Sequence, residues 1–129
     1  MSGVEKSGFI SKVIGPKKRW RAYKARVKEL PENSRTAVEA IERYLMHFVP
    51  TDEDSNAAMF EDLADLFEQA VADGTPIREV VGEDPVEFVD EFARNYSEGG
   101  YVPARARKQL TDDIERAAGA ETGRDDQTV

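Results

Sequence analysis

The chain contains no cysteine and only one histidine among its 129 residues. Without cysteine it cannot form a disulfide framework, a cysteine-ligated zinc site or a thiol nucleophile. A single histidine excludes any site that requires two. A chain of this length forms one domain of ordinary size and can bury a hydrophobic core without disulfides or a structural metal.

Long apolar runs are also missing from the sequence. No run approaches the roughly 18 residues of a membrane-spanning helix, and the first residues lack the apolar region and cleavage site of a signal peptide. We therefore expect a cytoplasmic protein without a membrane span. The glycines do not cluster into phosphate-binding or dinucleotide-binding loops, and no Gly-x-Ser-x-Gly motif occurs. These absences predict a protein without a cofactor and without enzymatic activity.

The net charge of −8 is distributed unevenly along the chain. Residues 1–30 carry a net charge of +7, residues 31–104 carry −14, and residues 105–129 carry −1. The acidic body argues against nucleic-acid binding by the whole surface, whereas the basic N-terminal part keeps local binding open.

Apolar residues recur at the spacing of amphipathic helices, and no segment alternates polar and apolar residues as a half-buried strand does. The clearest helical face is Trp20, Tyr23, Val27 and Leu30, with steps of three and four residues, and we expect all four side chains in the core. The sequence therefore predicts an all-α fold without any strand.

Turn and capping residues set the expected helix boundaries. Thr51, three residues before Asp54, resembles a capping box that begins one helix, and Asp84 followed by Pro85 begins another. Gly119 is expected to end the last helix. The resulting organisation is a flexible N-terminus at residues 1–8, a single domain of five main helices plus one or two short ones at 9–118, and a disordered polar tail at 119–129.

Two separated blocks of the sequence resemble a known family. One is the basic-aromatic helix around Trp20 and Tyr23 with its Leu30-Pro31 ending, and the other runs from Gly74 to Phe92. Over residues 10–118 the chain resembles a bacterial domain of unknown function, DUF1048. The resemblance implies helices wound as a left-handed superhelix and a genetic association with PadR-type transcription regulators. It implies no catalytic residues.

Asp52, Asp54 and Asn56 imitate the first, third and fifth ligand positions of a calcium-binding EF-hand loop. The sixth position requires glycine but is Ala57, and the twelfth requires a bidentate glutamate but is Leu63. Because both requirements fail, we interpret these acidic residues as helix capping and predict no metal site.

Glu61, Asp65 and Glu68 share one side of the helix that is predicted at residues 51–72, at spacings of four and three residues. Paired carboxylates perform acid-base chemistry only where burial separates their pKa values, and these lie opposite the apolar stripe. We interpret them as a solvated ridge that can meet the basic helix within the molecule. His47, at the end of an apolar helix, is interpreted as a capping or packing residue.

The segment from Lys17 to Lys28 holds seven cations in twelve residues, interleaved with Trp20 and Tyr23. Such a pattern occurs on surfaces that bind nucleic acids or anionic membranes. Since both aromatic residues share the spacing of the core face, the cations point outward, and a protein partner or internal acid pairing is favoured over nucleic acid.

The sequence thus predicts a helical protein-interaction or signalling module, linked through the resemblance to a PadR-type regulator. The alternative is a nucleic-acid-binding protein that uses the basic helix at 17–28. Self-association as a homodimer is also open, because the molecule carries opposite charges. The candidate partner-binding residues are Lys17, Lys18, Arg21, Lys24, Arg26, Lys28, Glu61, Asp65 and Glu68.

Overall fold

A computed structural model describes residue 15 and residues 17–128, with side chains as far as residue 120. Within these residues the chain forms six helices and one two-stranded sheet. The elements are α1 (residues 17–28), α2 (Glu32–Leu45), β1 (Phe48–Pro50), α3 (Glu53–Asp73), α4 (Ile77–Val81), α5 (Pro85–Ala93), β2 (Ser97–Gly100) and α6 (Ala104–Thr128). The predicted all-α class is confirmed, and the handedness of any superhelix stays a prediction.

The hydrophobic core lies between the apolar faces of the helices. Tyr23 and Val27 of α1 are buried there, as the spacing predicts, and so is Leu30 just after the helix. α2 packs mainly on α6 and also contacts α3. The core includes large side chains from four further helices: Ile41, Leu45, Phe60, Leu63, Phe67, Ile77, Leu110 and Ile114.

The prediction that Trp20 lies in the core is wrong, because this residue is 36% exposed. Its ring packs edge-on against Phe60 at 5.3 Å between centroids and lies 5.2 Å from the ring of Tyr23. Trp20 precedes Tyr23 by almost one turn and lies at the margin of the buried face of α1. The indole therefore covers the edge of the core and faces solvent on its other side.

The termini of α3 show the expected kind of capping, displaced by one residue. Asp52, not Thr51, is the N-cap, and its side chain accepts a hydrogen bond from the Ser55 N–H at 2.7 Å. Gly74 ends the helix with φ of 73°, in the left-handed region where a side chain would be strained. Helix α5 begins as predicted, with Asp84 as its N-cap.

The prediction that the chain has no strand is wrong. Strands β1 and β2 form an antiparallel ribbon in which Phe48 lies opposite Gly100 and Pro50 opposite Ser97. The buried Ser97 hydroxyl donates to the Val49 carbonyl oxygen at 2.6 Å. Strands of three and four residues are too short to show an alternating pattern, so the periodicity of the sequence does not reveal them.

The predicted end of the last helix at Gly119 is also wrong, because α6 continues to Thr128. Gly119 does not have a positive φ, unlike Gly74, Gly82 and Gly99, and no proline follows it to stop the helix. Helix α6 therefore runs through Gly119, and the disorder predicted for residues 119–129 stays a prediction. The predicted flexible segment at 1–8 and the first residues of the predicted domain, 9–14, lie outside the described residues.

Candidate functional site

Six of the seven cations of α1 divide into two groups according to their position around the helix, and Lys24 is described separately below. Since each residue advances about 100°, Arg19 and Arg26, seven residues apart, point in nearly the same direction. Lys17, Arg21 and Lys28 point together in almost the opposite direction, with Lys18 beside them. The buried Tyr23, Val27 and Leu30 lie closer to the first group, which places Arg19 and Arg26 at the margin of the core.

Arg19 binds Glu61 of α3 through two hydrogen bonds. Its Nε donates to Oε2 at 2.9 Å, and its second guanidinium nitrogen donates to Oε1 at 2.7 Å. A third bond reaches the exposed Asp54 carboxylate at 3.3 Å. These hydrogen bonds from Arg19 hold the pKa of Glu61 below its ordinary value and raise the pKa of Arg19 itself. The predicted list of site residues omits Arg19.

Arg26 repeats this arrangement two helical turns later. Its guanidinium donates to both carboxylate oxygens of Glu68, at 3.0 and 2.7 Å, and also to Asp65. Hydrogen bonding to Glu68 is the main cause of a raised Arg26 pKa. Both arginines contact a glutamate 42 residues further along the chain. The equal offset means that α1 and α3 run parallel, with matching seven-residue spacings of guanidinium and carboxylate groups.

Lys24 is held by a buried carboxylate of α2. Its ammonium donates to the two oxygens of Glu42 at 2.9 and 3.2 Å, and the Tyr23 hydroxyl donates to the same carboxylate at 2.8 Å. The Glu42 residue is only 9% exposed. Burial, followed by the charge of Glu42, raises the Tyr23 pKa far above its ordinary value. The sequence analysis does not predict this triad, although Glu42 adjoins the apolar position Ile41.

The remaining cations of α1 form a surface that we call the α1 basic stripe. It consists of Lys17, Lys18, Arg21 and Lys28, all of which are exposed. Within the described residues, none of their side chains makes an ion pair. Arg35 of α2 adds a charge near the end of the stripe, where its guanidinium donates to the Lys28 carbonyl oxygen at 3.4 Å.

The predicted site residues therefore fall into two sets. Lys24, Arg26, Glu61, Asp65 and Glu68 form contacts within the molecule, and the interpretation of the acidic ridge as a partner of the basic helix agrees with these contacts. The other set, Lys17, Lys18, Arg21 and Lys28, faces solvent. The side chains of the second set make no ion pair within the described residues, whereas those of the first set are already paired.

A second buried carboxylate lies at the contact between α2 and α6. Asp113 is 4% exposed and accepts hydrogen bonds from Arg43 at 2.9 Å, from Gln109 at 2.9 Å and from Arg116. A pocket of about 120 Å³ beside it is also lined by Tyr44 and His47. With three donors around it, Asp113 joins the two helices.

The described residues do not bring together three or more His, Asp or Glu side chains in an arrangement that could hold a metal ion. Asp52 is occupied as a helix cap, and Leu63, at the position where an EF-hand has glutamate, is buried in the core. The exposed His47 lies just after α2, where its backbone N–H donates to the Tyr44 carbonyl oxygen at 3.1 Å.

A pocket of about 230 Å³ opens between α1 and the first turns of α3. Arg19, Trp20, Phe60 and Asn56 line it, together with Tyr23, Glu53 and Ala57. Of its two charged groups, Arg19 already binds two carboxylates and Glu53 is exposed. The pocket therefore combines an aromatic surface with one exposed carboxylate.

Comparison with known protein families gives a match over most of the chain. Residues 11–115 match the family described as "Protein of unknown function (DUF1048)", and the chain belongs to this family. No protein of curated function matches the chain. Among the described residues, no helix combines the length and apolar character needed to cross a membrane.

Proposed function

We propose that this protein is a non-enzymatic helical interaction module that acts in the bacterial cytoplasm and binds a protein partner through the α1 basic stripe. One observation carries the proposal: of the seven cations of α1, three are bound by carboxylates of α2 and α3, while the four of the stripe remain exposed and unpaired within the described residues. The internal pairs fix the helix, and the stripe offers a basic surface on a rigid support.

The non-enzymatic part of the proposal rests on the state of the carboxylates. Glu61 and Glu68 each receive two hydrogen bonds from a guanidinium, and those from Arg19 lower the pKa of Glu61. Acid-base catalysis requires a carboxyl group whose pKa is tuned toward the working pH. Glu61, Glu68 and the two guanidinium groups that bind them are therefore arranged as an ion-pair network that holds the fold together.

The partner that we propose is a PadR-type transcription regulator, which the family resemblance implies and which would present an acidic surface to the stripe. The test is a binding titration of the purified protein with the regulator encoded beside it. We expect binding that weakens with salt and is reduced at least tenfold, about 1.4 kcal/mol, by Lys18→Gln with Arg21→Gln. Arg105→Gln with Lys108→Gln, on exposed positions of α6, is the matched control.

Nucleic acid is the second candidate, because the four free cations extend over about 16 Å of helix and lie beside the half-exposed Trp20. A mobility-shift titration at two salt concentrations separates the candidates. Nucleic-acid binding predicts a shift at low salt that weakens steeply as salt rises and is lost in the Lys18→Gln, Arg21→Gln variant. The absence of a shift at low salt would exclude it.

A further inference from the structure

We infer that the α1 basic stripe also binds a second copy of the chain, on the outer side of α5, so that the protein self-associates head to tail. The acidic surface in question, here called the α5 acidic face, consists of Glu83, Asp84, Glu87 and Glu91, all exposed. This inference rests on the proposed function, because it assigns a specific occupant to the same stripe.

The contact between α1 and α3 shows which geometry suits the cations of α1. Arg19 and Arg26 are seven residues apart, and the glutamates that they bind, Glu61 and Glu68, are also seven residues apart. A parallel acidic helix with this spacing, about 10 Å along the axis, therefore matches one side of α1.

The stripe and the α5 acidic face repeat this spacing on surfaces that face solvent. Arg21 and Lys28 are seven residues apart on α1, and Asp84 and Glu91 are seven apart across α5, with Glu87 between them. The contact between α1 and α3 within the molecule thus has the same seven-residue spacing as the proposed contact between two molecules. Lysine replaces arginine at most stripe positions, and its compact charge favours a weaker, reversible contact over the bidentate pairs found inside.

Helices α4 and α5 carry few cations that could neutralise the α5 acidic face, although Arg107 of α6 acts on Tyr44 together with Asp84. Arg78 is the basic residue of α4, and Arg94 is the residue that ends α5. Arg94 pairs with Glu91, and Arg78 is exposed. Asp84 keeps its capping bond to the Glu87 N–H, and Glu83 and Glu87 make no ion pair within the described residues. Two to three carboxylates therefore remain for the cations of another molecule.

The two surfaces of one molecule cannot bind each other. On α2, Glu42 contacts α1 through Lys24, whereas Tyr44 contacts α5 by donating a hydrogen bond to Asp90 at 2.7 Å. Positions two residues apart on a helix point in directions about 160° apart. Helices α1 and α5 thus lie on opposite sides of α2, and the stripe can reach the α5 acidic face only in a second copy.

An interface between two different surfaces is heterologous, so each molecule keeps one free stripe and one free acidic face. We expect sedimentation experiments on the purified chain to show a mass that rises with protein concentration at about 0.1 M NaCl. At about 1 M NaCl the Debye length falls to about 3 Å, and the chain should be monomeric.

The decisive experiment mixes two variants that each lack one of the surfaces. Lys18→Gln with Arg21→Gln removes charge from the stripe, and Glu83→Gln with Glu87→Gln removes charge from the α5 acidic face. Each variant alone should remain monomeric at about 0.1 M NaCl, because it has only one competent surface. Their mixture should form a complex of one molecule of each and nothing larger.

Variants with matched charge changes elsewhere serve as controls. Arg105→Gln with Lys108→Gln, and Glu98→Gln with Glu115→Gln, alter exposed positions outside both surfaces and should self-associate like the unmodified chain. Circular dichroism checks that every variant is folded. A monomeric unmodified chain, or variants that do not form the mixed complex, would overturn the head-to-tail contact. Regulator binding that still depends on Lys18 and Arg21 would in that case leave the proposed function standing.

Discussion

The Tyr23 hydroxyl donates a hydrogen bond of 2.8 Å to the Glu42 carboxylate, inside the contact between α1 and α2. Lys24 completes the arrangement from the solvent side with a distance of 2.9 Å to the same carboxylate. A buried carboxylate is tolerated only when its oxygens are hydrogen-bonded or paired with a cation. The position of α1 on the body therefore depends on polar contacts as well as on its apolar face.

Tyr23→Phe tests the contribution of the buried hydroxyl. The substitution keeps the aromatic ring but removes one donor from Glu42, so we expect the free energy of unfolding to fall by about 1–3 kcal/mol. Urea denaturation measures the change. Tyr101→Phe is the matched control because Tyr101 is 82% exposed, and it should leave stability unchanged. Equal effects of the two substitutions would contradict the assigned role of Tyr23.

Arg26→Gln tests whether the inward-facing cations hold α1 in place. Its partners Asp65 and Glu68 are substantially exposed, so solvent screening limits the expected loss to about 1 kcal/mol. Arg21→Gln, on the stripe, should change stability by less than about 0.5 kcal/mol. Unfolding experiments at low and high salt measure the stability of both variants. The difference in stability between them should shrink as the salt concentration rises. A larger loss for Arg21→Gln would refute the division of α1 into two faces.

The carboxyl pKa of Glu61 provides a test of the Arg19 pair. Because this pKa is lowered in the folded protein, the pair stabilises the fold above the ordinary carboxyl pKa, and this stabilisation is lost as pH falls through the lowered value. Arg19→Gln should therefore raise the Glu61 pKa toward 4.5 and reduce the loss of stability in acid. Carboxyl-carbon NMR titration measures the pKa directly, and an unchanged value would refute the pair.

Two glycines offer a comparison with opposite expected signs. A Cβ at Gly100 would lie 2.2 Å from the His47 carbonyl oxygen and 2.8 Å from the Phe48 Cα. Gly100→Ala must therefore separate the strands, and we expect a loss of about 2–4 kcal/mol. Gly119 lies within α6 with open space around its Cα, so Gly119→Ala should stabilise by about 0.5–1 kcal/mol. Thermal unfolding measures the change in stability of both variants. A change of the same sign in both would contradict the structure.

The partial exposure of Trp20 lowers the expected cost of truncating its side chain. A fully buried aromatic costs about 3–5 kcal/mol when cut to alanine. Trp20 keeps its contacts with Tyr23 and Phe60 but leaves one side in solvent, so Trp20→Ala should cost about 1–3 kcal/mol. Its fluorescence should also be accessible to a soluble quencher. An emission spectrum insensitive to iodide would place the indole in the core after all.

The sequence predicts the helical class and most of the core because both follow from periodicity. Val27 and Leu30 lie where a spacing of three and four residues places them. The capping residue Asp84 and the left-handed Gly74 agree with local stereochemistry. The two-stranded sheet could not be predicted, because its stability depends on a partner strand far along the chain and on the close approach at Gly100.

The candidate site is predictable only in part, for a similar reason. Composition reveals a basic segment and an acidic ridge, but it does not say which cations the ridge binds. Helical geometry separates Arg19 and Arg26 from Arg21 once the orientation of α1 is known, and the buried Tyr23 sets that orientation. The Glu42 triad depends on how closely α1 and α2 approach, which is a property of the tertiary fold.

The pairing of Phe48 with Gly100 has a consequence for the order in which the molecule folds. It joins the connection after α2 to the connection before α6, with α3, α4 and α5 in between. Closing so long a loop costs chain entropy that contacts between neighbouring helices do not incur. The ribbon should therefore form after the helices have collapsed, and its amides should exchange with solvent through local opening while those of α2 remain protected.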